Sequence, residues 1–233
     1  MTSATHQALG NRPVPATRQA AVGARTIAGL LFVILGAAFL TVTMLAASIA
    51  PDYDFGGGAI SDLGVIDQTA VLFNVLLIAT GVLNAAGGYL LFTWHRRMWL
   101  LVVYLVGAAG AIGAGLLPLD TGAPHSLFAL VGFLFFNVEA VATAFVVRGP
   151  MKGLSLAAGA LGLIFVVIMV IGDGGNPAIF GPIGHGGAER MIVYPVMLWL
   201  LALGGYLIGR DERAAEVNEP GEAPAAGRYA AAM

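Results

Sequence analysis

The chain has 233 residues, 58% hydrophobic and 10% charged, with 33 glycines, no cysteine and a formal net charge of -2. A soluble domain carries roughly 25% charged residues, so this composition excludes an ordinary water-soluble fold and makes lipid the expected solvent. The lack of cysteine excludes a disulfide scaffold and a thiolate metal site, and the near-neutral charge gives no drive toward nucleic acid.

Residues 1–25 are polar, contain Pro13 and Pro15, and read as a disordered tail. A hydrocarbon core about 30 Å thick takes about 20 apolar residues of helix. Six windows of that kind follow: 26–50, 69–94, 98–119, 124–147, 154–172 and 191–209. Five have no Asp, Glu, Lys or Arg; in the fourth, His125 and Glu139 interrupt the apolar run. Continuous apolar runs are helices and not barrel strands, which alternate with period two. The first window exceeds the roughly 7–15 residues of a signal-peptide core, and Pro51 stands just after its small-residue end, so it is expected to remain as a span. Residues 210–233 are rich in Ala and Glu and read as a second disordered tail.

The predicted fold is therefore an all-α bundle of six transmembrane helices over residues 26–209. Lys and Arg stay on the cytoplasmic side of such bundles. Ten of the eleven basic residues lie in the tails or at Arg96, Arg97, Arg148 and Lys152; Arg190 alone falls among the opposite loops. Both termini are thus expected in the cytoplasm of a cell whose plasma membrane holds the protein, with Trp94 and Trp99 as interfacial anchors. Glycine supplies close helix approach in lipid. Asn74, Gly81 and Gly88 at seven-residue spacing, and Gly107, Gly110, Gly113 and Gly115, read as packing faces. The glycine runs at 56–58 and 172–175 lack the Gly-Lys-Ser/Thr context of a phosphate loop and read as connections.

Residues with chemistry gather at the outward loops: Ser61, Asp62, Asp120, His125, Asp173, His185, Glu189 and Arg190. This polar rim would bind a lipid headgroup, a small solute or a partner. His125 and His185 are the candidate metal ligands, and with a carboxylate they would form an adequate hydrolytic zinc set. No H-E-x-x-H occurs, and Gly186 and Gly187 argue against a helix face joining His185 to Glu189. Inside the spans, Asn74, Asn84 and Glu139 are the costly polar groups. His125 and Glu139 lie about 21 Å apart on one helical stripe, which suits either a polar cleft or a hydrogen bond from Glu139 to a neighbouring helix.

The segment Ile60-Ser61-Asp62-Leu63-Gly64, followed by Phe73-Asn74 and Gly81, resembles the prokaryotic membrane family catalogued as domain of unknown function 998. Pro118-Leu119-Asp120, His125-Ser126, Gly187-Ala188-Glu189-Arg190 and Tyr194-Pro195 extend the resemblance, which covers about residues 26–209. It implies six helices and no assigned activity, and it gives no catalytic residues to transfer; no cofactor is expected. Family members often carry an asparagine shortly before the Ile-Ser-Asp-Leu-Gly segment, where this chain has Gly58. Physically, Ser61 and Asp62 would close the loop by hydrogen bonds, and Gly64 would supply a positive φ. Three functions stay open, in this order: a non-enzymatic binder of lipid, solute or partner; a metal-assisted lipid hydrolase; and a proton-coupled carrier using Glu139. Membrane lipids are the expected partners, and a bundle with so many small faces would also suit a homo-oligomer.

Overall fold

Each apolar window becomes a helix, because lipid offers no partner for a backbone N–H or C=O. The computed structural model describes the backbone of residues 16–216 and the side chains of 23–210. The helices are α1 (Ala16–Ile49), α2 (Ala70–His95), α3 (Met98–Leu116), α4 (Ala123–Thr143), α5 (Pro150–Asp173) and α6 (Gly184–Glu216). All six are long and apolar enough to cross a membrane. Short 3₁₀ segments at Ile60–Gly64, Leu119–Thr121 and Pro177–Ile183 occupy the three connections at one end of the bundle. That end carries Asp62, Asp120 and Asp173 and is called the acidic end below; Arg96, Arg97, Arg148 and Lys152 mark the basic end.

α1, α5 and α6 outrun their apolar windows, whereas α3 and α4 end short of theirs, at Leu116 and Thr143. α1 starts at Ala16, inside the stretch expected to be a tail, and α6 runs on to Glu216. Hydropathy marks the length that meets lipid, whereas Ala, Gln, Glu and Arg in these extensions are good helix formers that need no lipid. The parts of the expected tails at 1–15 and 217–233 lie outside the described residues.

Successive helices pack in sequence order, and α6 closes the ring against α1. Glycines make these seams. A Cβ on Gly29 would stand 2.7 Å from the Gly204 carbonyl, and one on Gly36 would stand 2.6 Å from that of Met197, so α1 and α6 touch backbone to backbone. Gly81 and Gly88 face Ala108 and Tyr104 across α2–α3, as their spacing predicts. Gly110 meets Gly132 across α3–α4, and Gly159 meets Asn137 across α4–α5. Of the four α3 glycines, Gly115 turns back to α2, against the Asn74 carbonyl.

The distribution of polarity is that of a lipid-solvated protein. Val71, Leu116, Leu127 and Phe145 point outward, each more than 60% exposed, while Thr43, Asn84, Asn137, Glu139 and Ser155 are fully buried. All of these but Thr43, whose hydroxyl finds no partner, bond across seams, where an unsatisfied polar group is most costly. Asn84 donates from Nδ2 to Glu139 Oε2 at 2.9 Å and to the Tyr104 carbonyl at 3.2 Å, tying α2 to α4 and α3. Tyr104 and Thr143 share a hydroxyl bond of 2.9 Å, and Trp199 donates to Ser155 Oγ at 2.8 Å.

A candidate amphiphile-binding site at the acidic end

The first connection folds down over the start of α6 because glycines on both sides remove every intervening side chain. Gly187 N–H donates to the Gly56 carbonyl at 3.2 Å. A Cβ on Gly184 would collide with that same carbonyl, and one on Gly186 with the carbonyl of Gly58. The close approach also accounts for the helix itself. α6 begins at Gly184, so His185 and Glu189 do share a helix, contrary to the expectation from Gly186 and Gly187. Contact with the loop offsets a cost of about 1 kcal/mol per helical glycine.

Arg190 is the clamp of this connection. It is 6% exposed and donates to the carbonyls of Gly58 (3.2 Å) and Gly186 (2.8 Å) and to the Tyr53 hydroxyl (2.6 Å). Its guanidinium carbon lies 3.9 Å from the centre of the Phe55 ring, a cation–π contact that a planar guanidinium makes well. Tyr53 in turn donates to the Ala59 carbonyl at 2.7 Å. Burial raises the Tyr53 pKa above its ordinary value, against the pull of Arg190. A side chain at 58, such as the asparagine of the family pattern, would press on Asp54 and the Tyr53 ring.

The Ser-Asp-Leu-Gly turn is a clasp, as its residue types predict, but it works differently at Gly64. Asp62 Oδ2 accepts from Ala59 N–H at 2.8 Å and closes the turn. Ser61 Oγ donates to Glu189 Oε1 at 3.2 Å, and Ile60 N–H makes a short bond to Glu189 Oε2. Gly64 is not among the residues of positive φ. Its missing side chain instead lets Asn74 close in, where a Cβ would stand 2.6 Å from Asn74 Oδ1. Asn74 Nδ2 donates to the Gly64 carbonyl at 2.9 Å, so this intramembrane amide is a brace for the clasp.

Beneath the clasp lies a chamber of about 60 Å³ between α1, α2, α3, α4 and α6. Its walls are mainly Phe, Leu, Ile, Val, Ala and Gly, with Thr80 and Asn137 as polar groups toward the bundle centre. The volume is well below the range of about 300–1,000 Å³ typical of small-molecule sites, so the chamber as it stands is a narrow apolar slot. A second space of about 460 Å³, more open, lies between α4 and α5 at the acidic end. Ser61, His125, Ala129, Phe133 and Glu189 line both spaces and form a neck between them. Leu130 and Val170, 40% and 53% exposed, sit on the outer wall of this vestibule, so it faces the lipid side of the bundle.

His125 is 3% exposed in the neck. Its Nδ1 lies 2.7 Å from the Leu117 carbonyl, which only accepts, so Nδ1 carries the proton. Its Nε2 is buried without a partner. At the vestibule, His185 Nε2 lies 3.2 Å from Asp173 Oδ1. Phe180 holds this pair in place: its ring occupies the space left by Gly172 and meets the His185 ring edge-on at 5.2 Å.

Of the sequence candidates, Ser61, His125, Asp173, His185 and Glu189 thus share one connected site. Asp62, Asn74 and Arg190 support the clasp, and Asp120 is exposed on the second connection. Asn84 and Glu139 belong to the α2–α3–α4 cross-link, outside the chamber wall. The cleft that begins at His125 therefore reaches Asn137, which donates to the Ile192 carbonyl at 3.1 Å, and not Glu139. Sequence reasoning passed over Asn137, although an amide in mid-span was the available signal. Among the described residues, no three His, Cys, Asp or Glu side chains converge as a metal-ligand group.

Comparison with known proteins gives one assignment. No curated protein and no solved structure matches the chain. A family model matches residues 33–206, a stretch that includes the clasp, the neck and all the chamber-lining residues. The chain belongs to the family described as protein of unknown function (DUF998).

Proposed function

We propose that the protein binds a membrane amphiphile, with the polar head at the neck and vestibule and the apolar chain entering the chamber, which widens to admit it. The observation that carries this reading is the connection itself. A mainly apolar space inside the bundle shares Ser61, His125 and Glu189 with a polar space whose outer wall is lipid-facing. An amphiphile entering between α4 and α5 keeps its chain out of water and its head near the level of the polar loops. In this reading the acidic end is extracellular, both termini are cytoplasmic and the membrane is the plasma membrane, as the bias of Lys and Arg favours.

The test is photolabelling of the detergent-solubilised protein with a diazirine-bearing long-chain alkane, followed by peptide mapping. Label is expected on Phe136 and Val193, which line the chamber and are only 5% and 8% exposed. Label confined to outward residues such as Val71 and Leu127 would mean that the chamber does not admit a hydrocarbon chain.

A further inference from the structure

The neck carries information about the head that it accepts, and this inference rests on the amphiphile reading above. Every polar group there is oriented as an acceptor. With Nδ1–H committed to the Leu117 carbonyl, the His125 ring in its neutral form presents a lone pair at Nε2, and that atom is buried and unpartnered. Ser61 spends its hydroxyl proton on Glu189, which leaves the Oγ lone pairs. Glu189 is 3% exposed, and each of its oxygens accepts one protein hydrogen bond and retains acceptor capacity. Asp173 adds a second carboxylate at the vestibule.

Cations are withheld from the same surface. Among the described residues, no Lys or Arg lines either space. Arg190, one residue from Glu189, aims both terminal nitrogens at Gly58, Gly186 and Tyr53 and stacks on Phe55, with only its Nε–H left unpartnered. The cation that would pair with a phosphate or carboxylate head is therefore turned into the clasp. An anionic head would meet Glu189 and Asp173, whose basic neighbour His185 is already paired with Asp173, and a buried acceptor facing an acceptor is penalised on both sides.

We infer that the neck selects a head that donates hydrogen bonds and carries no negative charge, a hydroxyl or an ammonium group on a long apolar chain. His125 Nε2 accepts one donor and the Ser61–Glu189 pair accepts another. Anionic phospholipids and fatty acids are rejected by the same groups.

The experiment uses the full chain in a nonionic detergent, with displacement of a fluorescent long-chain alcohol by four amphiphiles of equal chain length: hexadecanol, hexadecylamine, palmitate and hexadecyl phosphate. The alcohol and the amine are expected to displace the probe at concentrations at least tenfold below those of the palmitate and the phosphate. In His125→Phe, which removes the free acceptor, that preference shrinks while alkane photolabelling of Phe136 persists. Equal or stronger displacement by the anionic pair overturns the head assignment and leaves the chamber reading standing. Failure of the probe to bind, together with absent photolabel at Phe136 and Val193, overturns both.

Discussion

Glu139 and Glu189 show how the same residue type takes two roles in one bundle. Glu139 is fully buried and held by Asn84, within a cross-link that also engages the Tyr104 carbonyl. Interhelical hydrogen bonds in membranes contribute roughly 0.6–2 kcal/mol each. Asn84→Leu is accordingly expected to lower stability by about 1–2 kcal/mol in denaturant-induced unfolding, while Glu139→Gln, which keeps an acceptor for Asn84, stays close to wild type. A Glu139→Gln protein as unstable as Asn84→Leu would mean that the carboxyl has a further partner. Glu189 instead faces a space, and its two oxygens hold the clasp. Sequence marks both residues, since a carboxylate in or beside an apolar run is costly, but it does not say which one borders a cavity. The answer depends on the turn of one helix against another, which periodicity leaves free.

The clasp gives a second test at this scale. Arg190→Lys keeps the charge but loses the fork that spans Gly58, Gly186 and Tyr53. Limited proteolysis should cut the 52–59 connection about tenfold faster in the variant, the factor that corresponds to about 1.4 kcal/mol. An unchanged rate would assign the loop's order to the glycine contacts alone.

At the level of elements, the seams follow from glycine placed where a side chain has no room. Gly29→Leu would drive a side chain into the Gly204 carbonyl and Ile208, and is expected to cost about 1–3 kcal/mol by overpacking. Gly153→Ala, with nothing within 4 Å of its Cβ, is the matched control and should be neutral. Equal effects of the two substitutions in thermal unfolding would contradict the seam. The six helices were legible because lipid demands a long apolar run, and the α2 and α3 packing faces because glycine recurs on them. The ring closure of α6 on α1 was not legible, since Gly29 and Gly36 are separated from Gly204 by most of the chain. Nor was the helical start at Gly184, because the loop that makes those glycines favourable is distant in sequence.

For the whole molecule, the asymmetry between ends sets orientation and access. The chain has no cysteine, so single cysteines can be placed at will. In intact cells, a membrane-impermeant maleimide should modify Asp120→Cys and spare Arg96→Cys, and the reverse pattern would invert the proposed topology. The polar rim was legible as a set of residue types. That only five of its eight members share a site was not, because the vestibule exists through the gap between α4 and α5, and a one-dimensional reading has no measure of gaps.

The central claim is that the chamber holds an amphiphile, and native mass spectrometry of the purified chain against Ala129→Trp tests it most directly. Ala129 lines both the chamber and the vestibule, so an indole there fills the neck. Wild type should carry close to one amphiphile per chain, and the folded variant should lose most of it. Equal lipid occupancy in the two proteins, or no bound amphiphile in wild type, would contradict the account.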